Sequence, residues 1–318
     1  MTDRTDHTDL TRAARGFPTE HAYRHRLRAD GRESLAHMLM LPEHGLAGFV
    51  YPTMRASGDL RGRACLFGPG VPEPVSEEAL APAVEGMDFD RRETGPLSMR
   101  VVEPHRTVEI GWEGARIGLA GRFTALHPPY AFSLHPGGNP PYYGDDRTEQ
   151  HGRFAARVRL DDRTLEHEGF LVRDHSWGPR IWGLNQHHKW VHAVTPDRSV
   201  HLFEMQSFGR VVRRGFVQRD GVLSHIADVR YDIEYDADMM QRRFTAELTA
   251  DDGARTTVDW RTYASIQLAW DPEVYLNEAA AEVDIDGAPG TGWLEFCWNR
   301  TYFDYARTHV EQYGGSAT

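Results

Sequence analysis

Apolar and polar residues alternate with a period of two along much of this chain, as they do in half-buried β-strands. The clearest alternation covers residues 229–235 and 244–248. Asp-Gly pairs at 220–221 and 286–287 each separate two such runs, which is a strong signal for a tight β-hairpin. The second half of the chain is therefore predicted to be a series of antiparallel strands.

The first half has the same character but shorter runs. Helical periodicity is weak, and it predicts only a short helix at 77–84 and a helical turn at 238–242. Residues 127–144 are rich in Pro, Gly and aromatic residues and are predicted to form a loop or linker. The candidate strands of this half are 34–41, 46–52, 61–66, 98–103, 106–112 and 115–123.

Many short strands separated by regular turn signals are typical of all-β sandwiches and barrels. The strands are too many for one small barrel and about enough for two. A new strand series begins near Glu149, so we expect an N-terminal β domain at 1–148 and a C-terminal β domain at 149–318.

Composition narrows the function classes. The net charge is −11 and the basic residues are scattered, which argues against nucleic acid as a partner. The polar N-terminus has no apolar signal-peptide core, and no apolar run is long enough for a membrane-spanning helix. These features predict a cytoplasmic protein without stable membrane insertion and leave its oligomeric state open. The two cysteines are expected to be free core thiols.

The most informative stretch is Arg173–Arg180, with the sequence RDHSWGPR. If it ends a strand, Asp174 and Ser176 point to one side while His175 and Trp177 point to the other. Gly178 allows a backbone conformation that other residues resist, and the proline after it donates no ladder hydrogen bond. Such a turn at a barrel mouth suits a catalytic site, although a core tryptophan and an arginine-paired aspartate would explain the residues equally well.

The window that follows is unusually rich in indoles and proton-transfer groups, and it also holds Lys189, the only lysine of the chain. Lys189 is more simply a surface residue than a Schiff-base lysine, because nothing else marks a carbonyl site. Further along, Trp293, Glu295 and Cys297 share one strand face, and the neighbouring face is predicted to be core.

Metal and cofactor chemistry find little support in the sequence. Two histidines on one strand face, such as His188 and His192, lie about 13 Å apart at i and i+4, too far for one ion without a bulge. No glycine-rich nucleotide fingerprint follows a strand, and no hydrolase nucleophile elbow is present. We therefore expect no metal and no organic cofactor.

The chain resembles a known superfamily, that of carotenoid 1,2-hydratases and AttH-like proteins, which are tandem lipocalin-like β-barrels. The segments that carry the resemblance are EQHGRF at 149–154 and RDHSWGPR at 173–180, which are similar to an uncharacterised group in that superfamily. The resemblance implies two consecutive lipocalin-like antiparallel barrels with an aromatic cavity between them. It also implies protonation of an alkene in a hydrophobic, isoprenoid-like substrate.

In the hydratases, an H-x-W pair is followed about 25 residues later by a Y-x-D pair. The first pair matches His175 and Trp177, and the second falls on Leu202 and Glu204. The acid is kept one methylene longer, while leucine replaces the tyrosine. This departure suggests that the cation meets a different acceptor here.

Our leading hypothesis is a cofactor-independent enzyme that hydrates, dehydrates, cyclises or isomerises an isoprenoid or steroid-like substrate. A carboxyl group desolvated among aromatic residues keeps its proton and can serve as the acid. The alternatives are a non-catalytic lipid carrier, which has no use for a buried acid, and a metal-dependent enzyme. The proposed catalytic residues are Glu204 or Asp174 as proton donor, His175 as orienting partner and Trp177 as cation stabiliser, and the proposed substrate-binding residues are Trp182, Trp190, His192, Leu202 and Tyr143, the last having barrel closure as its simpler role.

Overall fold

The computed structural model of the protein describes residues 9–82, 92–140 and 142–313, and this part of the chain is almost entirely β. Two short helices accompany the strands, α1 (Leu10–Arg15) and α2 (Arg300–Tyr313). The strands of the first half are β1 (Arg32–Leu41), β2 (Leu46–Arg55), β3 (Leu60–Phe67), β4 (Val75–Ala81), β5 (Arg92–Thr94), β6 (Leu97–Glu103), β7 (Thr107–Glu113), β8 (Ile117–Ala125), β9 (Tyr130–Ala131), β10 (Asp146–Leu160) and β11 (Arg163–Gly178). Those of the second half are β12 (His187–Val194), β13 (Arg198–Ser207), β14 (Arg210–Arg219), β15 (Val222–Tyr235), β16 (Gln241–Ala250), β17 (Arg255–Asp271), β18 (Val274–Ile285) and β19 (Ala288–Asn299).

The strands of the first half form one curled antiparallel sheet in the order β4-β3-β2-β1-β11-β10-β8-β7-β6-β5, with β9 paired to β10. The curl brings distant strands together, because the indole Nε1 of Trp112 on β7 donates to Glu77 on β4 over 2.7 Å. Leucines, valines and Phe123 fill the concave side. This half of the molecule is a half-barrel with its own hydrophobic core.

Strands β12 to β19 close into an eight-stranded antiparallel barrel. Every strand contributes to its interior core, which includes Phe244, Trp260 and Phe296. Helix α2 follows β19 directly, and its Phe303 packs into the same core beside Trp298. The helix thus covers one end of the barrel. The all-β prediction is confirmed.

The Asp-Gly pairs form the hairpins that the sequence predicts. Asp220 and Gly221 have φ of 50° and 77°, and Asp286 and Gly287 have φ of 51° and 87°. Two successive positive φ angles match the twist of the flanking strands, and Asp and Gly tolerate them better than most residues. These turns join β14 to β15 and β18 to β19.

The change from sheet to barrel comes later in the chain than the sequence suggests. The expected boundary at 148/149 lies inside β10, and β10 and β11 pair with each other and with β8 and β1 of the first sheet. The barrel begins only at His187. The motif at 173–180 therefore covers the end of β11, which pairs with β1 and β10 of the first sheet, and the start of the connection to the barrel.

Other expectations are corrected. The predicted helix at 77–84 is wrong where the chain is described, since β4 pairs with β3 across 75–81. The loop at 127–144 contains the short strand β9, whose Tyr130 is buried against the barrel. Both cysteines are free and buried, as expected. Within the described ranges, no helix has the length and apolar character needed to cross a membrane.

A third hydrophobic cluster joins the two halves. The convex face of β1 and β2 contributes Met38 and Phe49, and the outer wall of the barrel contributes Trp190, Phe203 and Trp293. Because both surfaces are apolar, the sheet and the barrel bury each other. The polar side chains that break this apolar layer are the candidates for function.

Candidate functional site between the sheet and the barrel

A cavity opens in the layer between the sheet and the barrel. The cavity is narrow, because only about 30 Å³ of it is open to the centres of water molecules. Aromatic side chains and a few charged groups from both halves form its wall, so neither half builds it alone. The lining residues are Ala36, Met38, Phe49, Tyr51, Tyr143, Arg147, Asp174, Arg180, Trp182, Trp190, Trp270, Leu276, Glu278 and Glu295.

Two glutamates face each other on the barrel side of this cavity. Glu278 on β18 and Glu295 on β19 are direct cross-strand partners, and both point outward from the barrel. Burial and the neighbouring charge of Glu295 raise the pKa of Glu278 well above its ordinary value. The indole Nε1 of Trp293 donates to Glu278 over 2.7 Å. Of the two carboxyl groups, Glu278 is therefore the one that keeps its proton to the higher pH.

The pKa of Glu295 is shifted in the opposite direction. Burial alone would raise its pKa, but a hydrogen bond and charge interaction with His188 outweigh burial and lower it. His188 Nε2 donates to Glu295 over 2.7 Å, while His188 Nδ1 accepts from the amide of Asn185 over 2.6 Å. Because the Nδ2 of Asn185 can only donate, it fixes the imidazole tautomer that serves Glu295. Two carboxyl groups with opposing pKa shifts form a typical acid–base pair.

The sheet side of the cavity carries a buried ion-pair cluster. Arg147 on β10 pairs with Asp174 and, over 2.7 Å through Nε, with Glu149. Asp174 also accepts from the backbone N–H of Ala36 over 3.0 Å. Burial raises the pKa of Glu149 to about 8 although Arg147 lowers it. Asp174 is anchored between a guanidinium and a backbone amide, which suits a structural role.

Several residues predicted from the sequence do line this cavity. Tyr143, Trp182 and Trp190 contribute aromatic faces, and Asp174 also lines the cavity. The alternation predicted for the motif also holds, since Ser176 shares the face of Asp174 and accepts from Arg180 Nη2 over 3.1 Å. The binding roles of these residues stay proposals.

His175 and Trp177 point to the other side of β11. His175 Nε2 donates to Glu33 over 2.7 Å, and the Trp177 ring stacks on His25 with centroids 3.8 Å apart. The N-terminal segment closes this cluster, with Phe17 packed on Trp177. His175 therefore cannot orient Asp174, because strand alternation separates them.

Glu204 and Leu202 face the inside of the barrel and do not reach the cavity. Leu202 belongs to the barrel core. Glu204 binds Lys189 over 3.1 Å and Arg213 over 2.7 Å, and it accepts from the Tyr231 hydroxyl over 2.5 Å. Burial alone would raise the pKa of Glu204, but these partners outweigh it and lower it. A carboxylate held ionised in this way is a poor proton donor.

Two groups of side chains bring metal-type ligand atoms within 4.8 Å of one another in the described part of the chain. In the first, His25 and His175 both hydrogen-bond to Glu33, so the group is held together without an ion. The second combines Glu149, His192 and His201. His192 lies behind Trp190 rather than in the cavity wall, and its Nδ1 is hydrogen-bonded to His151 over 2.9 Å. The second group is the place where a metal ion would be sought.

Sequence reasoning missed Glu278 and gave Glu295 no role. The face of Trp293, Glu295 and Cys297 was recognised, and its neighbouring face is core as predicted. One feature of the sequence could have revealed the pair: a glutamate lies in each of the two apolar strands that flank the Asp-Gly turn at 286–287. Their cross-strand register puts the two carboxyl groups together.

The chain also matches a family model over residues 18–300, and the family is described as a domain of unknown function, DUF7064. This match covers most of the chain. The protein belongs to the DUF7064 family. No curated protein matches it significantly.

Solved structures show the same fold. CghA in complex with Sch210972 superposes with a TM-score of 0.62 at 13% identity, covering 85% of this chain and 89% of that chain. Kievitone hydratase from Nectria haematococca gives a TM-score of 0.55 at 9% identity, covering 87% of this chain and 90% of that chain. At such identities the likeness shows a shared fold. The narrower resemblance to carotenoid 1,2-hydratases and AttH-like proteins stays a prediction.

Proposed function

We propose that this DUF7064 protein is an enzyme that protonates a hydrophobic, isoprenoid or steroid-like substrate in the cavity between sheet and barrel, without an organic cofactor. The outcome is hydration, dehydration, cyclisation or isomerisation. The observation that carries the proposal is the carboxyl pair Glu278–Glu295, which are cross-strand partners with opposing pKa shifts in an aromatic cavity.

In the proposed reaction, the carboxyl pair transfers protons and the indole rings stabilise the cation. Glu278 donates its proton to an alkene carbon and becomes a carboxylate. The resulting cation lies against the indole faces of Trp182, Trp190 or Trp270, and a cation over a desolvated aromatic ring gains about 2 kcal/mol or more. Water then adds to the cation, or a neighbouring carbon loses a proton, and the released proton returns to the carboxyl pair. Glu295, oriented by His188, accepts it.

The shared fold adds support. One of the similar structures is a hydratase by name, so this β architecture is compatible with addition of water to a carbon framework. Fold likeness alone does not assign a reaction. The acid pair of this chain is the specific part of the argument.

The test uses deuterium as a label. The purified protein is incubated in D₂O with a panel of trisubstituted alkenes, farnesol, farnesoic acid, squalene and a sterol precursor, and products are analysed by mass spectrometry. Acid-initiated chemistry places deuterium on carbon. Glu278→Gln keeps the shape and removes the transferable proton, so the rate should fall by about 10²-fold or more while folding and ligand binding persist.

The matched control is Glu282→Gln, which changes an exposed glutamate on the same strand β18 and should leave turnover unchanged. Binding of the panel without carbon-bound deuterium in any product would point to a lipid carrier. Undiminished turnover in a well-folded Glu278→Gln variant would remove the acid pair from the mechanism.

A further inference from the structure

A second hollow adjoins the cavity and is strongly basic. This groove has an empty volume of about 1640 Å³, including its open side, and it shares Tyr51, Arg180, Trp182 and Trp270 with the cavity. Two acidic residues lie in its wall, Asp59 and Asp271. Its arginines are Arg32, Arg55, Arg61, Arg63 and Arg180. A cluster of five arginines is unexpected in a chain of net charge −11.

Arg180 stands where the groove meets the cavity. Its guanidinium lies 4.4 Å from the centroid of Tyr143 and 5.2 Å from that of Trp182, and it donates one hydrogen bond, to Ser176. Its Nε is buried and has no hydrogen-bond partner. No carboxylate of the described residues forms an ion pair with it.

Arg32, on strand β1 next to β11, also lies close to the ring of Trp182. Its guanidinium lies 5.8 Å from the centroid of Trp182 and donates to the Tyr51 hydroxyl over 3.0 Å. Its Nε is also buried without a partner, and it too lacks an ion pair within the described ranges. The two guanidinium groups therefore lie against one indole ring with free donors, and the charge of Arg32 adds to burial in lowering the pKa of Arg180.

Arg147 differs from Arg32 and Arg180 in having carboxyl partners. It lines the same cavity, but its guanidinium is paired with the carboxyl groups of Asp174 and Glu149. An uncompensated buried charge is costly, and folded proteins pair such charges. Arg32 and Arg180 are partly buried, and no carboxylate of the described residues is paired with either of them, so both can take an anion from a ligand. Arginine suits carboxylate and phosphate groups, because its planar fork of donors matches their oxygens.

We propose that the substrate carries an acidic head group, a carboxylate or phosphate, which Arg180 and Arg32 bind at the mouth of the cavity. This inference rests on the proposed function, and it orients the substrate with its hydrocarbon part inside, beside Glu278. The apolar cavity and the basic groove then form one continuous site for an amphiphilic anion.

The test compares ligands that differ only in the head group. Binding of farnesol, farnesoic acid and farnesyl monophosphate is measured by titration calorimetry at pH 8 and low ionic strength. The wild-type protein should bind at least one of the two anions about tenfold or more tightly than farnesol, and added salt should reduce that difference. The carboxylate and phosphate arms show which anion is preferred.

Variants locate the effect. Arg180→Gln and Arg32→Gln should each weaken anion binding by about tenfold and leave farnesol binding unchanged, while Arg180→Lys should restore part of the preference. Arg210→Gln, an exposed arginine of β14, is the matched control and should behave as wild type.

Equal affinity for all three ligands, an equal loss in Arg210→Gln, or no binding of any ligand up to its solubility limit would overturn the inference. Turnover with no head-group preference would reject the inference and keep the proposed function. Anion-dependent binding without carbon-bound deuterium would keep the inference about the head group and reject the proposed function.

Discussion

At the scale of single residues, the environment of each carboxyl group decides its role. Glu278 and Glu204 are both buried glutamates on barrel strands. Glu278 faces another carboxyl group and its pKa is raised, whereas Glu204 faces Lys189 and Arg213 and its pKa is lowered. The two residues therefore differ in chemistry although each lies on an apolar strand of the same barrel.

Glu204→Gln should leave turnover near the wild-type rate but lower stability. The substitution leaves the buried ammonium of Lys189 without its carboxylate, a change that costs about 2 kcal/mol or more. Urea denaturation measures the loss, and Glu247→Gln on the outside of the barrel is the control. A hundredfold loss of turnover in a stable Glu204→Gln variant would return the acid role to Glu204.

At the scale of strands, local signals in the sequence were sufficient for the hairpins and for the alternation within the motif. Asp-Gly turns and period-two patterns depend on a few neighbouring residues. The partners of β10 and β11 could not be predicted in this way, because they pair with β8 and β1 and no local signal specifies such contacts. The same limit hid the Glu278–Glu295 pair, which depends on cross-strand register.

Gly178 shows how closely these strands approach one another. It ends β11 with φ of 101°, and a Cβ there would collide with the backbone nitrogen of Asp145. That nitrogen donates to the Trp177 carbonyl over 2.8 Å, so the chain has no room to shift. The glycine of the motif is required by the backbone.

Gly178→Ala should therefore lower the free energy of unfolding by about 3 kcal/mol, through backbone strain and the collision. Gly209→Ala is the matched control, because Gly209 also has a positive φ, of 68°, but a Cβ there meets nothing within 4 Å. Its cost should be about 1 kcal/mol. Equal losses in the two variants, measured by thermal or urea denaturation, would contradict this account of the turn.

At the scale of the whole molecule, folding buries or partly buries many histidines. Burial is the largest cause of a lowered pKa in each of them. The affected residues are His37, His105, His127, His151, His175, His187, His188, His192 and His201. The pKa falls to about 3 for His37 and to about 4 for His127. The folded protein keeps these imidazoles neutral.

Stability should therefore fall as the pH drops below about 6.5, the ordinary histidine pKa. Between pH 6.5 and 4 the unfolded chain binds protons that the folded chain does not bind. Each such proton makes the free energy of unfolding fall by about 1.4 kcal/mol per unit drop in pH. Glu149 and Glu278 act in the opposite sense, because their raised pKa values favour folding at low pH and this contribution is lost as the pH rises. They are fewer, so the histidines dominate.

Urea denaturation at pH 7, 6 and 5 measures this slope. The His127→Gln variant should show a slope smaller by about one proton, because its side chain no longer titrates. Constant or increasing stability toward pH 5 would contradict the argument.

The position of Lys189 has a practical consequence. It is the only lysine of the chain, it is 5% exposed, and its ammonium is paired with Glu204 inside the barrel. Reagents that acylate side-chain amines therefore have one target, and they meet it only when the barrel opens. The rate of acylation at Lys189 reports local opening of that barrel in the native protein, without any introduced probe. Because arginine occupies all the other Lys/Arg positions, no second lysine contributes to the acylation signal.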